Sequence, residues 1–289
     1  MRIGMIGLGR MGAGITQRLR QRGHEVVGYD RNPDLAEVGS LGELIASLDR
    51  PRVVWVMVPS GDPTESVIGE LASLLDEGDL VVEGGNSNYH DSIRRAELLG
   101  QHGVRFVDAG VSGGIWGLEE GFALMVGGGA GDIAHLQAVF DALAPAGGFV
   151  HAGPVGAGHF TKMVHNGIEY GLMHAYGEGY QLLSASELSI DVPSVVKAWG
   201  HGSVIRSWLL ELLALALDHD PQLAQLRGYA ADSGEGRWTV EEAVRLGVPL
   251  SVLSAALFAR FSSREDDSPA MKVVAALRHE FGGHAVETA

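Results

Sequence analysis

The chain has 289 residues, 46% of them hydrophobic, which is enough for two domains that each bury a core. A formal net charge of −15 with no basic stripe argues against a nucleic-acid-binding protein. The absence of cysteine excludes disulfides, thiolate catalysis and cysteine-based metal sites.

The chain opens on a short apolar run, Arg2–Ile6, that reads as a strand. Glu25–Tyr29, Val53–Val58, Leu80–Glu83 and Arg105–Val107 read the same way, and Phe122–Val126 and Phe149–His151 read as strands that extend the sheet. Runs this continuous in apolar residues imply burial on both faces, as in a parallel sheet. Amphipathic stretches at Met11–Gln21, Thr64–Leu75 and Ser92–Gln101 lie between them. Strand–helix alternation predicts an α/β fold with a Rossmann-like, doubly wound sheet. After about Gly156 strand signals stop and helical periodicity takes over, over Ala157–Leu183, Val192–Trp199, Ile205–Leu217, Val240–Leu246, Leu250–Phe261 and Pro269–Glu280. The Gly/Pro cluster at Gly153–Gly158 marks the boundary. The expected division is a dinucleotide-binding domain over 1–156 and an all-α domain over 157–289. The most apolar stretch, Trp208 to Leu217, is broken by Glu211 and is too short to span a bilayer. No signal-peptide pattern opens the chain. The expectation is a cytoplasmic protein with no membrane or nucleic-acid partner.

Gly7-Leu8-Gly9-Arg10-Met11-Gly12 follows the first strand and opens the first helix, in the G-x-G-x-x-G spacing. Those glycines let the backbone turn tightly and approach a pyrophosphate, which the helix N-terminus stabilises. The bland alternative is an ordinary strand–helix turn. Asp30 ends the second strand, 18 positions after Gly12, where a carboxylate meets the adenosine ribose hydroxyls and repels a 2′-phosphate. Asp30 therefore argues for NAD, while Arg31 beside it keeps NADP open. Asp30 also suits a plain turn before Asn32-Pro33.

The segment Gly158 to Gly171 places Lys162, His165, Asn166 and Glu169 on one helix face, at offsets 0, +3, +4 and +7. A solvent face is broadly charged, whereas this stripe mixes four polar types in a stretch of small and apolar residues. A desolvated lysine there can take a proton from a substrate hydroxyl, and a nearby acid can return one to carbon. Lys162 and Glu169 lie about 10 Å apart along the axis at 1.5 Å per residue. No metal-ligand spacing is present, so no metal is expected.

Lys162-Met163-Val164-His165-Asn166-Gly167-Ile168-Glu169-Tyr170-Gly171 closely resembles the signature of the decarboxylating 6-phosphogluconate dehydrogenases. Gly84-Gly85-Asn86-Ser87-Asn88-Tyr89, Val111-Ser112-Gly113-Gly114, Gly236-Arg237-Trp238-Thr239 and Gly247-Val248-Pro249 resemble the same family, over nearly the whole chain. The resemblance implies Lys162 as general base and Glu169 as the acid that protonates the product. It implies Asn86, Ser112, Gly113, Gly114, His165, Asn166, Tyr170 and Arg260 as substrate ligands for 6-phosphogluconate. Gly7, Gly9, Arg10, Met11, Gly12, Asp30, Arg31, Val58, Pro59 and Asn86 fall to NAD or NADP. Arg278-His279-Glu280-Phe281-Gly282-Gly283-His284 resembles the family's tail, which implies that Arg278 and His284 serve the neighbouring subunit of a homo-oligomer, dimer or tetramer. The chain departs from the long members: Ser233 and Glu235 stand where those carry a phosphate-binding lysine and threonine, Ile115-Trp116-Gly117 differs beside the nicotinamide, and Pro59-Ser60-Gly61 replaces a lysine-containing turn. Together these departures resemble the short, often NAD-preferring branch of the family. Two other readings stay open on sequence: a dehydrogenase of a small, non-phosphorylated β-hydroxy acid, and a non-catalytic dinucleotide sensor on the same fold.

Overall fold

The computed structural model describes residues 1–282, 285 and 287. It forms two compact units, Met1–Asn166 and Gly167–Ala289.

The first unit is built on a seven-stranded sheet: β1 (Arg2–Ile6), β2 (Glu25–Tyr29), β3 (Val53–Val56), β4 (Leu80–Glu83), β5 (Arg105–Ser112), β6 (Ala123–Gly128) and β7 (Phe149–Gly153). Its order is β2-β1-β3-β4-β5-β6-β7. The first five strands are parallel, β6 runs antiparallel to β5, and β7 is parallel to β6. The helices are α1 (Arg10–Gln21), α2 (Leu41–Ala46), α3 (Asp62–Leu74), α4 (Tyr89–Gly100), α5 (Gly117–Glu120) and α6 (Ala130–Leu143). A longer helix, α7 (Ala157–Ser184), begins in this unit.

Alternation along the strands sends side chains to both faces. Trp55 and Val82 join Ile15 and Leu19 of α1 and Phe140 of α6 in one cluster. Val54, Val56 and Val81 join Leu44 of α2 and Ile68 and Leu71 of α3 in the other. Each fully buried Leu or Ile stabilises by about 1.5–3 kcal/mol, so two full layers account for strands that read as unbroken apolar runs.

Three helices escape the sequence reading, among them the four-residue α5. The helix α2 has six residues, too few to show a period, and starts at Ser40, whose side chain accepts from Glu43 N. The helix α6 follows β6 directly from its N-cap Gly129 and buries Ile133, Leu136, Val139, Phe140, Ala142 and Leu143. The strand β5 runs five residues past the predicted end because β6 pairs with it through Ser112. The strand β3 stops at Val56; Met57 N still donates to the Ile6 carbonyl at 2.7 Å, and the strand assignment does not reach Val58, which precedes Pro59.

Arg18 of α1 is buried and bonds to peptide carbonyls. Its Nε reaches the carbonyls of Ala142 and Leu143 at 3.2 and 3.0 Å, and its Nη1 those of Leu118 and Glu119 at 2.9 and 3.3 Å. These are C-terminal carbonyls of α6 and α5, the negative ends of both helices. Burial pushes the Arg18 guanidinium below its ordinary value, and the Arg22 charge adds to this.

The second unit is helical. It takes the remainder of α7 with α8 (Val192–Trp199), α9 (Trp208–His219), α10 (Glu235–Leu246), α11 (Ser251–Ser262) and α12 (Pro269–Gly282). Val192, Val196, Leu210 and Leu217 form one core with Tyr176 and Tyr180 of α7. Tyr170, Ala256 and Leu257 form a second with Met173, Val240 and Phe261. The start of α9 is later than predicted because Ser207 caps it, its side chain accepting from Leu210 N. No helix among the described residues is long and apolar enough to cross a membrane.

Candidate active site

A cavity of about 610 Å³ opens at the C-terminal ends of β1 to β5. The strand order reverses at β1, whose neighbours are β2 and β3, and open α/β sheets bind ligands at such a switch point. Gly7, Gly9, Arg10, Met11, Gly12, Asp30, Arg31, Val58, Pro59 and Asn86, the ten residues singled out for the dinucleotide, all line it. Tyr29, Met57, Gly85 and Val111 join them. The sequence reading assigned none of these four to the dinucleotide, although each lies at or just beyond the C-terminal end of a strand.

The glycine turn fits a pyrophosphate on its own geometry. A Cβ at Gly12 would lie 1.9 Å from the Gly7 carbonyl oxygen, so the turn closes only with glycine there. A Cβ at Gly9 would meet nothing within 4 Å, and it would stand in the open cradle ahead of α1. No acidic side chain occupies the first turn of α1, which leaves its N-terminus electropositive.

Asp30 is tied into the same turn. Its Oδ2 accepts from Leu8 N at 2.7 Å, and its Oδ1 accepts from Asn32 N at 2.8 Å. The carboxylate thus closes the turn before Pro33 while it braces the glycine loop on the cavity wall. Arg31 is exposed at the rim.

Asn86 stands in a turn fixed from below. Glu83, at the end of β4 and fully buried, accepts from Ser87 Oγ at 2.6 Å and pairs with the buried Arg95 of α4. Arg95 also donates to Ser87 Oγ at 3.1 Å and to Glu65 at 3.1 Å. Ser112 ends β5, and Gly113 and Gly114 follow it with φ of +144° and +53°.

The helix α7 starts against β5. The buried carboxylate of Asp108 accepts from Gly156 N and His159 N, both at 2.7 Å. Burial pushes the Asp108 carboxyl up, against the opposing pull of His159 and of these two bonds. One turn later Lys162 is buried, and its Nζ donates to Asn166 Oδ1. His165 Nδ1 lies 3.0 Å from the same oxygen. Three of the four residues of the predicted polar stripe therefore share one amide. Asp108 and His159 carried no sequence signal, because 51 residues separate them.

Within the second unit, Glu169 is half-buried and Tyr170 is buried. The Arg260 guanidinium sits 3.4 Å over the Tyr170 ring, and Arg260 also donates to the Ala231 carbonyl at 2.9 Å. Ser233 N donates to the Tyr170 hydroxyl at 3.3 Å, and Ser233 Oγ donates to the buried Glu235 at 2.6 Å. Asp232 beside them accepts from Arg237 at 2.6 Å and from Arg264 at 3.0 Å. The segment 231–235 thus touches Tyr170 through Ser233 and binds three arginines through Ala231 and Asp232. Arg278 is exposed on α12, and His284 lies outside the described residues.

Residues 2–153 match the family model of the NAD binding domain of 6-phosphogluconate dehydrogenase, and residues 158–281 that of the 6-phosphogluconate dehydrogenase C-terminal domain. The Bacillus subtilis protein YqeC is 45% identical over 99% of each chain. The NAD(+)-dependent, decarboxylating 6-phosphogluconate dehydrogenase of Haloferax volcanii is 42% identical over 99% of this chain and 98% of its own. Among solved structures, the 6-phosphogluconate dehydrogenase of Plasmodium falciparum, studied with its cofactor NADP+ and its substrate 6-phosphogluconate, superposes with a TM-score of 0.84 at 27% identity. That match covers all of this chain and 66% of the longer one. With a cavity at the switch point, a buried lysine on the helix that follows the sheet and full-length relatives of this kind, the chain belongs to the 6-phosphogluconate dehydrogenase family.

Proposed function

We propose that the protein oxidises and decarboxylates 6-phosphogluconate to ribulose 5-phosphate and CO2, using NAD in preference to NADP. The observation that carries this reading is the buried Lys162, bonded to Asn166 and followed by Glu169 two helical turns on, inside a chain whose relatives match it end to end.

When bound, the nicotinamide supplies the hydride acceptor for C3. Lys162 takes the proton of the C3 hydroxyl as the carbonyl forms. Asn166, already bonded to Lys162, orients that amine, and His165 shares the same amide oxygen. The 3-keto acid then breaks its C1–C2 bond and releases CO2, with Lys162 returning its proton to the C3 oxygen. Glu169 protonates the former C2 of the resulting enediol, which becomes C1 of ribulose 5-phosphate. Asn86, Ser112, Gly113 and Gly114 take the sugar-acid end, and Tyr170 and Arg260 the phosphate end, where the guanidinium already lies against the ring. A bidentate arginine suits a phosphate.

Asp30 on the cavity wall supports NAD, since a carboxylate there accepts from ribose hydroxyls and repels a 2′-phosphate. We assign residues 1–156 to the cofactor and 157–289 to substrate binding and assembly. The enzyme is a cytoplasmic homo-oligomer, with Arg278 and His284 serving a neighbouring subunit. Exposed Met271, Val273, Val274 and Leu277 on α12 support assembly, because they form an apolar run that a monomer leaves in water.

The deciding assay is initial-rate nicotinamide reduction with 6-phosphogluconate, with NAD and NADP at matched concentrations and CO2 release followed in parallel. Stoichiometric CO2 and a higher rate with NAD are expected. Reduction without CO2, or turnover confined to non-phosphorylated hydroxy acids, would overturn the reading.

A further inference from the structure

We propose that His159, through its bond to Ser92, is a positioning residue for the reaction: it fixes the first turn of α7, and so Lys162, against the helix that leads out of the Asn86 turn. This rests on Lys162 being the base.

His159 lies three residues before Lys162, one turn earlier on the same helix. It is 1% exposed. Its Nδ1 lies 2.8 Å from the Oγ of Ser92, which is fully buried in the first turn of α4. That helix is capped by Asn88, whose side chain accepts from His90 N, and Asn88 stands two residues after Asn86. A short covalent path thus joins each end of the His159–Ser92 bond to a residue assigned to the reaction.

Apolar contacts also join these segments. The Tyr89 ring meets the Phe160 ring edge-on at 5.2 Å, and Ile93 reaches within 2.9 Å of where a Cβ on Gly156 would stand. Such contacts hold the segments together but do not set direction, whereas a hydrogen bond weakens steeply as its angle opens. The backbone of the same turn has a separate anchor, since Asp108 accepts from Gly156 N and His159 N. Asp108 ties the turn to β5, and His159 ties it sideways to α4. Two anchors in different directions fix the rotation of the helix as well as its place. Productive geometry tolerates only about 0.5 Å and 10–20° of error, which gives the second anchor its purpose.

The ring is engaged at one nitrogen. Its Nε2 is buried with no hydrogen-bond partner, and Glu83 Oε2, 3.9 Å from Nδ1, has none either. Only Nδ1 is therefore assigned a role, and the two amide substitutions separate the nitrogens. Asparagine places an amide atom where Nδ1 stands, and glutamine places one where Nε2 stands.

The test compares His159→Asn, His159→Gln, His159→Phe and Ser92→Ala with wild type in the full-length enzyme, with Lys162→Met run alongside. His159→Gln, His159→Phe and Ser92→Ala are expected to lower kcat roughly tenfold or more while KM for 6-phosphogluconate stays within about twofold, since misplacement of the base acts on the chemical step. His159→Asn is expected to stay within about threefold of wild type in kcat, because the bond to Ser92 survives. The Ser92→Ala/His159→Phe double variant is expected to be no slower than either single one, as for two partners of one bond. Should the phenylalanine variant fail to fold, the Asn and Gln variants decide. Asn restoring where Gln does not supports the proposal; any other ranking of the two overturns it. An active Lys162→Met enzyme would unseat the base assignment itself, whatever the His159 variants do.

Discussion

Lys162 packs its side-chain stem against a bare backbone: a Cβ built on Gly110 would stand 2.3 Å from Lys162 Cβ and 2.9 Å from its Cγ. The atoms in the way lie at the root of the side chain, next to the α7 backbone, and cannot swing aside. Gly110→Ala is therefore expected to push the helix off β5. We expect kcat to fall by at least about tenfold and stability by about 1–3 kcal/mol, the range for overpacking. Steady-state kinetics and thermal melts check both; an active, stable alanine variant would show that α7 has room to shift.

Lys162→Met keeps the stem and removes the amine. Loss of a general base lowers kcat by about 10²–10⁴-fold. NAD affinity is expected to hold, because Lys162 does not line the dinucleotide cavity. Equilibrium titration with NAD beside single-turnover rates separates the two effects. Turnover near the wild-type rate would remove Lys162 from the base role.

Asp30 joins two tasks, bracing Leu8 N and facing the cavity. Asp30→Asn keeps an oxygen for the bond and loses the charge. We expect KM for NAD to rise roughly tenfold and the discrimination against NADP to shrink by a similar factor, as the repulsion of a 2′-phosphate is lost. Matched kinetics with both dinucleotides measure this. An unchanged ratio would move cofactor choice away from Asp30.

Asp232 couples the stability of the second unit to pH. The hydrogen bond from Arg237, with the charges of Arg237 and Arg264, holds its carboxyl below the ordinary 3.8 despite burial. A depressed carboxyl contributes stability that is fully present above its unfolded value and lost as pH falls through the folded one. Asp232→Asn is expected to lower Tm by roughly 2–4 °C at pH 7, with the gap closing below about pH 4. Melts across pH 3 to 7 test the sign. A gap that widened in acid would contradict it.

Truncation before Arg278 is expected to raise KM for 6-phosphogluconate roughly tenfold or more while NAD binding holds, since lost charge-assisted bonds to an anion cost about 1.5–3 kcal/mol each. The same protein run on a sizing column shows whether assembly survives. An unchanged KM in an intact oligomer would mean that the tail serves no neighbouring site.

The parts legible in the sequence were those with short-range patterns. Apolar runs gave away the strands, and the G-x-G-x-x-G spacing located the cavity floor because all three glycines act within six residues. Asp108 and Gly110 interrupt the apolar run of β5, so the strand read three residues long, yet those two interruptions are what seat α7. The helix spacing of Lys162, His165 and Asn166 was readable, but their convergence on one amide oxygen was not, since it depends on rotamers. The family resemblance named Tyr170 and Arg260 separately, and only packing brings the two together across 90 positions.

The anchorage of Arg18 bears on how the enzyme meets changes in ionic strength. Exposed pairs such as Arg50–Asp76 weaken as dissolved ions gather around each partner. The Arg18 guanidinium is held by four peptide carbonyls at two helix ends, away from solvent, and mobile ions cannot screen it there. The helical turn leading away from Ser112-Gly113-Gly114 is thus moored by dipoles, and it stays in place in brine that would loosen the surface pairs.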